Sequence, residues 1–473
     1  MHPLAQTFPQ LSGSPPSALH SPPPLEPYEP TPANPWDRRK VAHLYRRAAF
    51  GATWAELEEG IKLGPRACVD RLLNGRTSAA ISEDDFAMMA RTAVAAGSDR
   101  NLQGWWIYRM LAGGHPLVER LTLFWHDHFA TSLDKVANLG LMHAQNELFR
   151  RFALGRFWDR DTGGLLLAVS RDPAMLLWLD SNSNRRAAPN ENYAREIMEL
   201  FALGLGHYSE KDIQEAARAF TGWFVTRNEY RFVGSEHDTG EKTVLGRRGN
   251  WDGGDVVRII AEQPAAAEFI VGKLYRYLVN ENDPPAPDAL AALAAGFRER
   301  ENDQRWLVET LLRSNLFFLP AAHRQKIASP VDFTVGTARR LEGSRVSPAA
   351  LAEVSSKLGQ TLFHPPNVAG WEEGKAWINS SILLGRANFA QEIVASRGGR
   401  FPGRTDPAAL AAKYCCTTDR DVLGFFLDLL VDGDVPADTR SQLAKSLAGS
   451  DPPGERARRL VQLILSLPEY NLC

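Results

Sequence analysis

Cysteine is scarce in this chain: Cys68, Cys415, Cys416 and Cys473 are the whole supply in 473 residues. No CxxC pair occurs, so neither a disulfide framework nor a zinc-finger spacing is present. Cys415 and Cys416 are adjacent, and adjacent cysteines bridge each other only with strain. This thiol usage is compatible with a reducing compartment. Long apolar runs are missing too. No stretch approaches the roughly 20 apolar residues of a membrane-spanning helix. A charge excess of either sign is also lacking. The formal net charge is −2 and the pI about 6.6, which argues against a bulk electrostatic grip on nucleic acid or an anionic membrane.

The amino terminus has no basic start, apolar core or twin arginine, so it lacks an export signal. A soluble, cytoplasmic protein is expected, with export open only if the start codon is misassigned. Eleven of the first 35 residues are proline, which favours an extended, poorly ordered tail over 1–35. Catalytic signatures are absent as well: there is no GxSxG, HExxH, Walker loop or Rossmann glycine fingerprint.

What is present is helix. From Trp36 onward, apolar residues recur at helical spacing, as in "HPLVERLTLFWHDHFATS", where Leu117, Leu121 and Phe124 follow one another. Pro116 falls in the first turn, where proline is tolerated. Thr53 with Glu56 has the capping-box spacing, and Ser209 with Asp212 also marks a helix start. A break is expected at Asp172-Pro173. The strand signals lie in "EYRFVGSEHDTGEKTVLG", two β-prone runs around a glycine-containing loop, which predicts a hairpin near 229–246. The expected fold is mainly α: a large multi-helical domain with a short β-hairpin insertion. It divides into the tail 1–35, a main helical domain 36–342, and a C-terminal helical part 343–473 packing on it.

Several strings occur together in order: "HLYRRAAFGAT", "RLTLFWHDHFATS", "NENYAREIMELFALG", "EAARAFTGW", "HDTGEKTVLG", "SPVDF", "LFHPPNVAGW" and "WINSS". In this combination the chain resembles the bacterial family known as domain of unknown function 1800, from about residue 40 to the "SLPEYNL" ending. The resemblance implies a bacterial origin. It also implies a gene neighbour that looks like a sulfatase or phosphatase, and hence a possible partner. It supplies no catalytic residues, so the chemistry is argued from the side chains.

Four places carry candidate groups. In "NENYAREIMELFALG", Asn192, Glu196 and Glu199 share one helical face beside an apolar stripe. Arg195 stands four residues from both Glu191 and Glu199, which makes an ordinary ion-paired face the competing reading. In "FWHDHF", His126 and His128 lie about 200° apart on a helix, which argues against one ion held by both. That objection disappears if the helix stops at Trp125. In "EHDTGEKTVLG", His237, Asp238 and Lys242 sit in the expected hairpin loop, which reads equally as a plain turn. In "LFHPPNVAGWEEGKAWINSS", Trp371 and Trp377 with Asn367 and Asn379 suit a ligand wall or a packed structural loop.

Two functions remain open. One is a metal-dependent enzyme, hydrolytic or oxidative, with His126, His128, Glu196, Glu199 and Asp238 as ligands for iron, manganese or zinc. Glu196, Arg195 and His237 would then be catalytic, with Lys242 on an anionic substrate. The other is a non-catalytic helical partner or maturation protein for the sulfatase- or phosphatase-like neighbour.

Overall fold

The computed structural model describes residues 24–76, 81–343, 345–395, 400–401, 403–448 and 450–473. It is helical throughout, from Arg38–Ala49 to Pro453–Leu465, with two small antiparallel strand pairs as its β structure among these residues. No described helix is long and apolar enough to cross a membrane. The helix starts carry their sequence signals. Thr53 and Ser209 close capping boxes with Glu56 and Asp212, and Asp172 caps the helix that begins at Pro173.

The organising element is the helix Pro116–His128. It packs against Arg38–Ala49, Trp54–Asn74, Asp99–Ala112 and Leu139–Phe152. Eleven of its thirteen residues are buried, which is why its sequence is apolar nearly all round. Its buried charged residues Glu119 and Arg120 are therefore paired. Glu119 accepts from both Arg109 and Arg150, and Arg120 pairs with Asp332. Such pairs are costly to break singly, because one partner's loss strands a buried charge. The Arg120–Asp332 pair ties the helix to Pro330–Arg340, whose start Ser329 and Asp332 cap reciprocally.

Residues 1–23 of the expected tail lie outside the described residues. Residues 24–35 are docked. Tyr28 is buried against Trp36 and Phe318, and its amide donates to Arg313. The strands differ from expectation in pairing. Glu229–Phe232 pairs back onto Trp223–Thr226, and Lys242–Val244 pairs forward onto Arg247–Gly249. The two runs thus belong to two hairpins rather than one. Each closes through a two-residue turn at positive φ: Arg227 and Asn228 at 55° and 64°, Leu245 and Gly246 at 49° and 78°. That is the turn geometry matching strand twist, but arginine and leucine there disguise it.

Candidate functional site

The helix Pro116–His128 runs unbroken through both histidines, so the rotation objection stands. Each ring serves the framework instead. His126 Nε2 accepts from the Phe363 amide at 3.2 Å, with Trp106, Phe363 and Trp371 around its ring. His128 Nε2 donates to the Phe201 carbonyl at 2.9 Å. Burial, with His364 near the first and Lys273 near the second, lowers both to about 3. Both rings are neutral at ordinary pH.

Asp127, between them, has the unusual position. Its Oδ1 accepts from the Trp371 amide at 2.8 Å. The preceding Gly370, at φ +90°, lies so close that a Cβ there would meet Asp127 Oδ1 at 2.3 Å. The loop after Gly359 is thus clipped onto the helix end at Phe363–His126 and again at Trp371–Asp127. Burial, with Glu373 nearby, raises the Asp127 carboxyl to about 7 against the opposing charges of Lys273 and Lys326. A carboxyl poised there exchanges protons at neutral pH, as catalytic acids and bases do.

Two neighbouring spaces share Asp127 in their walls. The inner one, about 30 Å³, is lined by Asp127, Glu281, Lys326, Asp332, Gln360 and Trp377, among others. That volume holds one or two waters. The outer one, about 260 Å³, is lined by Phe124, His128, Leu200, Lys273, Arg276 and Ala369. Asp127, Tyr277, Trp371 and Glu373 wall both. In the inner space Glu281 is anchored by the Ile327 amide, 3.1 Å from Oε2. Lys326 is buried and forms no ion pair among the described residues. Its Nζ stands 3.9 Å from the centre of the Tyr277 ring, and burial with Arg120 nearby lowers its pKa.

Of the residues singled out in the sequence, His128, Trp371 and Trp377 line this cleft, and His126 packs behind Trp371. The others are not brought together with them. Arg195 bridges Glu191 and Glu210, and Glu199 accepts from the Tyr208 hydroxyl at 2.8 Å. Glu196 is half-buried, its carboxyl raised by burial and by Glu199. The helix Asn192–Glu196 continues into a π-turn over Ile197–Ala202. Through that turn Leu200 reaches the outer cleft and Phe201 receives His128. None of the three carboxylates Glu191, Glu196 and Glu199 lines the cleft.

His237 and Asp238 are engaged in the strand insertion. His237 Nδ1 donates to the Thr221 carbonyl at 2.9 Å, and Asp238 pairs with Arg218. Lys242 donates to the carbonyls of Asp238 and Gly240. Asn367 Oδ1 accepts from the Ala369 amide, and Asn379 caps the helix Ser380–Val394. Among the described residues no group of three or more His, Cys, Asp or Glu stands ready to hold a metal ion. The expected ligand set His126, His128, Glu196, Glu199 and Asp238 is divided between different seams. His126, His128, Glu199 and Asp238 are each engaged by a different partner, and Glu196 stands beside Glu199 rather than with the histidines.

The residues missed were Asp127, Tyr277, Glu281, Lys326 and Glu373. One signal was available: Leu123 and Asp127 stand four apart on one face, so the helical argument against the paired histidines pointed at the aspartate between them.

The comparison with protein families gives one match. A family described as "Protein of unknown function (DUF1800)" matches residues 43–472. The chain belongs to this family. No curated protein and no solved structure matches this DUF1800 member. The match spans both the helix carrying Asp127 and the loop carrying Trp371.

Proposed function

We propose that this DUF1800 protein is a hydrolase that uses Asp127 as its proton carrier. The observation that carries this reading is the place of Asp127 between a water-sized chamber and a larger cleft, with its carboxyl raised to about 7. Ionised Asp127 takes a proton from a water in the inner chamber. The water oxygen bonds to the electrophilic atom of a substrate in the outer cleft. As the bond to the leaving group breaks, Asp127 returns the proton to it, so water is consumed and no redox change occurs. The positive charges of Lys326 and Lys273 keep the ionised form accessible despite burial. Trp371 and Tyr277 supply the walls that exclude bulk water. Proton transfer comes from Asp127 rather than from a His/Glu metal centre, because the expected ligands do not converge.

The test is a screen of the full chain against nitrophenyl esters, phosphates, sulfates and glycosides, repeated with Asp127→Asn. The expected result is hydrolysis of one class, reduced about 100-fold or more in a variant that melts like a folded protein. Hydrolysis indifferent to Asp127→Asn, or none on the whole panel, overturns the reading. The second reading, a non-catalytic partner of a sulfatase- or phosphatase-like protein, draws support from exposed Leu383 and Leu384 just beyond Trp377. It predicts that the neighbour is bound equally well by wild type and Asp127→Asn.

A further inference from the structure

The cleft's cations are distributed unevenly. Lys273 and Arg276 stand three apart on the helix Pro264–Leu278, so they share one face, and both line the outer cleft. Both are exposed, and neither forms an ion pair among the described residues. Surface arginines elsewhere in the chain pair readily, as Arg195 does with Glu210 and Arg247 with Glu262. Lys273 lies near enough to bear on the titration of both Asp127 and His128. The opposing groups in the same space are Glu373, which is exposed, and Asp127, which is about half protonated near pH 7. His128 is neutral there. The outer cleft therefore sets two basic side chains against the carboxyl groups of Glu373 and Asp127. The same cleft is also lined by Phe124, Leu200, Tyr277 and Trp371.

We infer that Lys273 and Arg276 form an anion subsite, and that the substrate of the cleft carries a carboxylate, sulfate or phosphate group beside an apolar or aromatic-facing portion. Arginine offers planar paired donors and lysine a point charge, a combination suited to an oxyanion. Leaving both cations unpaired keeps them available without first breaking an internal bridge. Glu373, which lines the same cleft, disfavours a second anionic group and so helps to orient the first. This inference rests on the cleft being the reacting site of the proposed hydrolase.

The experiment is calorimetric titration of the full chain at low ionic strength with inorganic sulfate, inorganic phosphate and acetate as separate probes. Three variants accompany the wild type: Lys273→Ala/Arg276→Ala, Arg231→Ala on the strand insertion as a control, and Asp127→Asn. The expected result is saturable binding of at least one anion, weakened about tenfold or more in the double variant and unchanged in Arg231→Ala. The anion that binds tightest names the group. Saturable binding retained by Asp127→Asn, together with a failed hydrolysis screen, leaves the anion subsite standing and removes the hydrolase. No saturable binding to any of the three, or equal binding by the double variant, overturns the subsite even if hydrolysis is found.

Discussion

Asp127 shows how one side chain can be set against the stability of its own fold. Its folded carboxyl titrates near 7, above its ordinary value of 3.8. A carboxyl raised on folding adds stability that is fully present below about pH 4 and is lost as pH rises to about 7. The shift corresponds to at most about 4 kcal/mol. Asp127→Asn keeps the acceptor for the Trp371 amide but cannot ionise. The variant is therefore expected to be more stable than wild type at pH 8, with the gap closing by pH 4. Urea denaturation at the two pH values measures it, and equal midpoints at pH 8 would contradict the raised carboxyl. Gly370 makes the matching argument from the other side of the contact. A Cβ there meets both the Asp127 carboxylate and its backbone carbonyl, at 2.3 and 2.7 Å, on a left-handed backbone. Gly370→Ala is expected to cost about 2–4 kcal/mol and to abolish activity by displacing Trp371. A thermal melt indistinguishable from wild type would show that the loop relaxes freely.

Elements were legible where local chemistry decides them. Thr53 and Ser209 cap helices because their side chains satisfy amides a few residues away, which is a property of adjacent sequence, and the break expected at Asp172-Pro173 falls where a new helix begins. The strand pairing was not legible, because Arg227 and Leu245 adopt positive φ without being turn formers. Sequence patterns encode preference, and here the flanking strands override it. The glutamate helix was half legible. The Arg195–Glu191 pair could be read from four-residue spacing, but Arg195 takes Glu210 instead of Glu199 as its second partner, and neither that nor the π-turn that carries Leu200 to the cleft could be read. The site itself was mostly hidden. Asp127, Tyr277, Lys326 and Glu373 come from four segments that only the tertiary fold joins. Buried histidines drew attention by residue type, yet their neighbours turn them into framework groups. A test at this scale follows from the turn. Replacing Arg227-Asn228 by Asn-Gly relieves the left-handed arginine and is expected to stabilise the hairpin by about 1 kcal/mol. Slower hydrogen exchange in Trp223–Thr226 and Glu229–Phe232 is the expected readout. Unchanged exchange would mean that the turn stores no strain.

At the scale of the whole molecule, the amino-terminal helix is joined to the carboxy-terminal helices through a buried charge. Arg46, on Arg38–Ala49, pairs with Asp432, which follows Asp419–Val431 in the left-handed conformation. His323 adds a contact to the same carboxylate at 3.2 Å. Burial pushes the Asp432 carboxyl up, but Arg46 and His323 outweigh it and hold it well below its ordinary range. A depressed carboxyl gives stability that is present above its unfolded pKa, about 4, and is lost as pH falls below that. Asp432→Asn suits the left-handed backbone, since asparagine tolerates it, so the variant tests the charge and not the turn. Stranding Arg46 is expected to cost about 3–5 kcal/mol at pH 7. The same cost is expected at pH 5, with the difference from wild type narrowing below pH 4. Urea unfolding at pH 7, 5 and 3.5 measures all three points. Two separated transitions in the variant would mean that Asp432 couples the carboxy-terminal helices to the rest. One transition with a lower midpoint would mean that other contacts, such as Arg38–Asp428, keep the molecule cooperative without it.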